Sequence, residues 1–202
     1  MNPEHKKLNL GCGYIKLIDH WNVDINPRCN PDEVIDLESV PYPWPDNFFE
    51  KITAQNILEH LGETPKKFTL IMKELYRISQ NQAEWTIMVP HPRSDLFFDD
   101  YTHIRTLTPK TFKMFDQTVN FEKLGKISDS TFGLDSGVDL EILDATYNIT
   151  NYWIQQLQEG IIGSKQLDIN LNIMSNVAES VNIFVKVHKP GRCEEFIKKI
   201  NK

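Results

Sequence analysis

Over the first half of the chain, apolar positions fall in short runs broken by turn residues. Leu8–Leu10, Trp21–Val23, Val34–Ile35, Lys51–Ala54 and Trp85–Val89 each read as a short strand. Between the fourth and fifth the period changes. Phe68, Ile71, Met72, Leu75 and Ile78 form one stripe of a helix over Thr64–Ser79, with Thr64 as N-cap and Pro65 at the first helical position. Thr108-Pro109 opens another helix, with Phe112 and Phe115 turned inward. Phe121–Ile127 predicts a sixth strand. Val181, Ile183, Val185 and Val187 alternate within Ser180–His188, a seventh strand that Pro190-Gly191 ends. The segment at about 128–179 then reads as an insertion between strands six and seven, a lid or contact surface with a strand-like piece, Leu140–Tyr147, and a helix-like piece, Asn151–Gln158. No repeat and no linker interrupts this order, so residues 1–202 are expected to form a single α/β domain.

The first strand runs into Gly11-Cys12-Gly13, and Asp24 closes the second strand eleven residues after Gly13. A strand, a tight glycine turn and a carboxylate after the next strand are how an open α/β sheet grips an adenosine-bearing cofactor. A dinucleotide site needs a third glycine so that a helix can pack close and face a pyrophosphate. Lys16 stands there instead, and the next glycine is Gly62. The spacing to Asp24 also leaves no room for a long helix. The expected ligand has an adenosine but no pyrophosphate, which fits S-adenosylmethionine and speaks against a nicotinamide-dependent oxidoreductase. Asp24 would accept from the ribose hydroxyls.

Composition narrows the partners. The 202 residues carry a net charge of −6, which disfavours a general nucleic-acid binder. Cys12, Cys29 and Cys193 are odd in number and form no Cys-x-x-Cys pair, as expected of reduced thiols in a cytoplasmic protein. No apolar run approaches the ~18 residues of a membrane span, and Met1–His5 has no apolar signal region. The oligomeric state stays open, a homodimer included.

The stretch from Leu8 to about Phe115 resembles the class I S-adenosylmethionine-dependent methyltransferases, in particular the small bacterial, type 11-like branch whose first motif reads Leu-Asn-Leu-Gly-Cys-Gly. Leu8–Gly13 match that motif, and Trp21–Asp24 the second strand with its ribose-binding acid. Val34–Leu37 resemble the third strand and the adenine-contacting loop. Tyr42–Ile52 resemble the proline-rich run into strand four, Asn56–Leu61 the "his-val-leu-glu-his" segment, Lys73–Ile78 the helix before strand five and Trp85–Pro90 that strand. The resemblance covers about half the chain. It implies a Rossmann-like, doubly wound seven-stranded sheet, mostly parallel with one antiparallel strand, in the order 3-2-1-4-5-7-6. It also implies a transferase whose cofactor, S-adenosyl-L-methionine, is held by Gly11, Cys12, Gly13, Asp24, Asp36, Leu37 and Gln55. Two positions depart from the pattern. Asn9 stands where many relatives carry an acid near the methionyl amine. Gln80-Asn81-Gln82-Ala83 replaces a lys-pro-gly-gly turn, with Asn tolerating left-handed geometry.

Methyl transfer needs an aligned acceptor, and a hydroxyl or amine acceptor must also lose a proton. Candidate bases lie after strands four and five: His103 first, then His91, then His60. His and Asp four residues apart in one loop can orient each other, and Asp99–His103 has that spacing. His103 and Arg105 can equally tie the loop to Asp99 or Asp100. Glu59 reads as a structural acceptor. Trp44, Phe97, Phe98, Tyr101, Tyr147 and Trp153 are candidates for lining an acceptor pocket, expected to take a small molecule or sugar-type metabolite. Two alternatives belong to other classes. One is a methyltransferase fold that binds cofactor without turnover, as a partner subunit. The other is a metal-dependent RNA 2′-O-methyltransferase; members of that family carry glu-x-x-glu-his and a later His. Here Asn56 replaces the first acid and Glu59, His60 and His91 remain, so no metal is assigned.

Overall fold

The computed structural model describes residues 3–126 and 131–200. Its strands are β1 (Lys7–Leu10), β2 (Trp21–Asp24), β3 (Glu33–Val34), β4 (Phe49–Gln55), β5 (Ser79–Pro90), β6 (Leu140–Ile149) and β7 (Ala178–Val187). They form one sheet in the order β3-β2-β1-β4-β5-β7-β6. β7 runs antiparallel to both neighbours and the other pairings are parallel. This is the Rossmann-like sheet expected from the resemblance.

The register explains which face carries the core. Trp21, Leu8, Ile52, Trp85 and Val185 stand in one row across five strands, and all are buried. Each such side chain contributes roughly 1.5–3 kcal/mol on leaving water. The next row, one residue on and therefore on the opposite face, reads Asn22, Asn9, Thr53 and Thr86. The apolar row is covered in part by α1 (Pro65–Ile78). There Phe68, Ile71, Met72, Leu75 and Ile78 are buried, and the Thr64 hydroxyl accepts from Lys67 N at 3.2 Å as N-cap. On the polar row the β1–β2 connection is a loop without a helix, where its length excludes a long one. Asn22 holds it as a loop: its Oδ1 accepts from Leu17 N at 2.8 Å, and its Nδ2 donates to His20 O at 2.9 Å.

α2 (Asp95–Phe98), α3 (Pro109–Lys113) and α4 (Gln117–Lys123) follow β5, and α5 (Phe132–Ser136) precedes β6. α3 starts where Thr108-Pro109 predicts, closed by a capping box between Thr108 and Thr111, with Phe112 and Phe115 buried. The strand expected over Phe121–Ile127 does not form. Asp116 is an N-cap, accepting from Thr118 N and Val119 N, and it starts a helix through Lys123; Phe121 packs edge-on against Phe196 at 4.6 Å. Ile127 lies outside the described residues. The sixth strand is instead β6, so the segment between the last two strands is 150–177 rather than 128–179. β6 pairs with β7 alone, and most of its side chains are only partly covered or exposed, which blurs its alternation. The 150–177 segment holds α6 (Asn151–Gln158), as expected, and α7 (Ser164–Ile173). α8 (Glu194–Ile200) follows Pro190-Gly191.

β5 starts at Ser79, earlier than expected, and absorbs the segment Gln80–Ala83. The residue that turns left-handed there is Gln82 (φ 66°), not Asn81. Asn81 instead accepts from Lys189 N through its side chain at 2.9 Å.

Candidate active site

The C-terminal ends of β1, β2, β4 and β5 meet at one edge of the sheet, where open α/β sheets bind ligands. The glycine turn is built by a small set of bonds. Cys12 N donates to Val23 O at 2.9 Å, and Gly13 N donates to Asp24 Oδ2 at 2.8 Å. Asp24 Oδ1 accepts from Asn26 N at 2.8 Å. Each carboxylate oxygen therefore keeps a lone pair beyond its backbone donor. The Cys12 side chain is buried, and burial pushes its thiol up to about 11, so it stays protonated at neutral pH. A cavity of about 220 Å³ opens over the turn, lined by Asn9, Gly11, Cys12, Gly13, Gln55 and others. Asn9 spends its amide nitrogen on the scaffold, donating to Ile15 O (3.1 Å) and Asn22 Oδ1 (3.0 Å).

Asp36 and Leu37 are not among the residues lining that cavity. Asp36 is exposed and caps its own turn, accepting from Glu38 N and Ser39 Oγ. Leu37 is 4% exposed and packs in the core, while its carbonyl accepts from Tyr42 Oη at 2.8 Å.

A second cavity, of about 700 Å³, lies beside the first. It is lined among others by His60, Asp100 and His103, and it shares Asn56 and Met88 with the cavity over the glycine turn. Asn56 has positive φ (49°), and its backbone N donates to Met88 O. His60 and His103 stand with ring centroids 4.6 Å apart. His103 Nδ1 lies 2.7 Å from Phe97 O. A carbonyl only accepts, so Nδ1 carries a proton, and in the neutral ring the lone pair lies on Nε2. The nearest carboxylate to Nε2 is Asp100, at 3.9 Å, not Asp99. The orienting partner of His103 is therefore the Phe97 carbonyl rather than an aspartate. Thr102 Oγ1 donates to Asp100 Oδ1 at 2.6 Å, so it must accept from His60 Nδ1, 2.9 Å away. This leaves the lone pair of His60 on Nε2 as well. Burial, then the neighbouring His103, holds the pKa of His60 below the ordinary histidine value.

His91 is set apart. It lines a different cavity of about 470 Å³ and meets the Tyr147 ring at 5.8 Å. Its Nδ1 already accepts from Arg93 N at 3.3 Å, which leaves the proton on Nε2. Burial, then Arg93, lowers its pKa. Arg105 does not reach Asp99 or Asp100. Its Nε donates to Leu61 O at 3.1 Å, and its guanidinium covers the Phe68 ring at 4.2 Å.

Among the aromatic candidates, Phe97 stacks near His103 at 5.3 Å. Trp44 is a core residue, donating from Nε1 to Glu33 Oε2 at 2.9 Å, where Trp21 Nε1 also donates. Phe98 and Tyr101 are exposed, Tyr147 lines the His91 cavity, and Trp153 packs on Tyr152.

Glu59 departs most from expectation. Its backbone carbonyl accepts from Ile104 N, yet its side chain is 0% exposed and neither carboxylate oxygen has a hydrogen-bond partner. Burial pushes its pKa up to about 7. One ligand-type atom from each of Glu59, His60 and His103 lies within 4.8 Å of the others. The Glu59-His60 pair was the available sequence signal; that His103 and not His91 completes the group depends on the path of the loop after β5.

No family model matches this chain, and no curated protein sequence matches it. Solved structures do. An S-adenosylmethionine-dependent methyltransferase from Archaeoglobus fulgidus is similar over 89% of this chain and 85% of its own, with TM-score 0.53 and 20% identity. The N-methyltransferase NodS from Bradyrhizobium japonicum WM9 is similar over 93% of this chain and 86% of its own, with TM-score 0.50 and 10% identity. Its complex with S-adenosyl-L-homocysteine has the same score and identity over 92% and 77%. At these identities the likeness shows a shared fold, that of S-adenosylmethionine-dependent methyltransferases. Among the described residues no helix is long and apolar enough to cross a membrane.

Proposed function

We propose that this chain is an S-adenosylmethionine-dependent methyltransferase acting on a small-molecule or sugar-type acceptor in the cytoplasm. The observation that carries the reading is the pair of adjoining cavities with Asn56 and Met88 as their common wall. One is bordered by the glycine turn, the other by two imidazoles. The residues present fit the cofactor. Gly13 leaves open space where a side chain would stand, with nothing within 4 Å of a Cβ built there, and Asp24 keeps lone pairs for the ribose hydroxyls. Gly11, Cys12 and Gly13 offer backbone at the turn, Gln55 borders the same cavity, and Asp36 with the Leu37 backbone is the proposed adenine edge.

When bound, S-adenosylmethionine would supply an electrophilic methyl on a sulfonium, held by the glycine turn and Asp24. The chain's part is to align the acceptor and take its proton. His103 Nε2 is the proposed proton acceptor, because Nδ1 is committed to Phe97 O and the ring borders the larger cavity. His60 has the same tautomer beside it. His91 ranks behind both on this geometry, because the lone pair it would use already accepts from Arg93 N.

Calorimetric titration tests the reading. One site for S-adenosylmethionine and S-adenosylhomocysteine is expected, with no heat from NADH. Asp24→Ala is expected to abolish binding of the first two. Unchanged affinity in that variant would overturn the assignment.

A further inference from the structure

We propose that Glu59, His60 and His103 form a binding site for one first-row divalent transition-metal ion of the zinc class. Three independent observations converge on it. The donor atoms are grouped, one from each residue within 4.8 Å of the others. The Glu59 carboxylate is fully interior with both oxygens unpartnered. A polar group in that position is costly unless a hydrogen bond or a cation meets it. Finally, both imidazoles present Nε2 lone pairs because their Nδ1 protons are held elsewhere, by Phe97 O on His103 and by the Thr102–Asp100 relay on His60. Metal-binding histidines are held in this way by outer hydrogen bonds that fix the tautomer and aim the ring.

The donor set selects the class of ion. Two imidazoles and one carboxylate suit Zn²⁺, Co²⁺ and their neighbours, whereas Mg²⁺ and Ca²⁺ prefer oxygen donors throughout. Three protein ligands leave coordination positions free, and two of the three, His60 and His103, border the larger cavity. A bound ion would occupy the same Nε2 lone pair that His103 otherwise offers to a proton, so metal loading and proton acceptance by that atom exclude each other. The binding site itself does not depend on the methyl-transfer reading and survives its failure.

The test uses the full chain, stripped with chelator and dialysed, titrated calorimetrically with Co²⁺, Zn²⁺ and Mg²⁺ while the visible spectrum of Co²⁺ is followed. One Co²⁺ or Zn²⁺ per chain is expected, with Mg²⁺ much weaker. His60→Ala, His103→Ala and Glu59→Gln are each expected to lose at least ~10-fold in affinity. The other four histidines and the three cysteines remain in every variant and control for adventitious binding. Glu59 is interior, so the two histidine variants, shown to be folded by circular dichroism, decide the outcome. No stoichiometric binding by the wild type, undiminished binding in both folded histidine variants, or a thiolate-to-Co²⁺ charge-transfer band would each overturn the proposal.

Discussion

Gly11 and Gly13 both hold positive φ, 58° and 49°, yet an added methyl group would meet different surroundings at the two positions. At Gly11 a Cβ would stand 2.6 Å from Ile57 Cγ1. At Gly13 it would meet nothing within 4 Å. Left-handed backbone costs an L-residue about 1–2 kcal/mol, and forced repacking adds ~1–3 kcal/mol. Gly11→Ala should therefore be less stable than Gly13→Ala by at least ~1 kcal/mol in urea denaturation. Equal midpoints would show that Ile57 moves aside freely. Gly13→Ala, in turn, fills the space proposed for cofactor and is expected to weaken S-adenosylhomocysteine binding while losing only about 1–2 kcal/mol of stability to the left-handed backbone. The sequence showed that both positions need glycine but not why, because the two reasons, packing at one and openness at the other, depend on β4 and the turn after it. Glu59 illustrates the same limit. A glutamate after a strand reads as an ordinary acceptor, and only its neighbours reveal that no donor reaches it.

Elements far apart in the chain are joined around Asp139, just before β6. Its carboxylate, fully buried, accepts from Gln117 N of α4 and from Arg192 N, Nε and a terminal guanidinium nitrogen. Arg192 also reaches Asp116, the N-cap of α4. Burial alone would raise the pKa of Asp139. The hydrogen bonds and charge of Arg192, with Gln117, outweigh it and hold the carboxyl below the usual range. A carboxyl with a depressed folded pKa stabilises the fold above its unfolded value of roughly 4 and loses that contribution as pH falls through the folded value. Urea midpoints of wild type and Asp139→Asn compared from pH 7 downward should thus converge below about pH 4, with the wild type ahead at neutral pH. A gap independent of pH would assign the stabilisation to shape rather than charge. This cluster also shows why the sixth strand was misplaced. Asp116 before Gln117 is a capping signal, and it outweighs the aromatic and apolar residues between Phe121 and Ile127. α1, by contrast, was legible from its cap and stripe, because both signals are local.

At the scale of the whole molecule, the sheet separates an apolar row, which holds the core, from a polar row under the β1–β2 loop, and brings two cavities together at the ends of β4 and β5. A ligand that binds only the folded chain raises its stability by mass action. At a hundred times its dissociation constant, S-adenosylhomocysteine should add about 2.7 kcal/mol, or roughly 5–10 °C in Tm for a chain of this size. The shift is expected to vanish in Asp24→Ala; a shift retained there would place the ligand elsewhere. The sheet's class and strand order were implied by the family resemblance of Leu8–Phe115; the residues by themselves determined an α/β chain, a β1–β2 crossing too short for a long helix, the glycine turn with Asp24 across from it, and α1. Each of these last is written in neighbouring residues, as a period, a cap or a spacing too short for a long helix. The tertiary structure alone decided that the strand-like piece from Leu140 is the sixth strand of the sheet, that Leu37 and Trp44 turn into the core, that His91 stands apart, and that Glu59 and His60 meet His103. Those outcomes depend on which loop crosses which strand end, a matter of chain path and packing that no local pattern encodes.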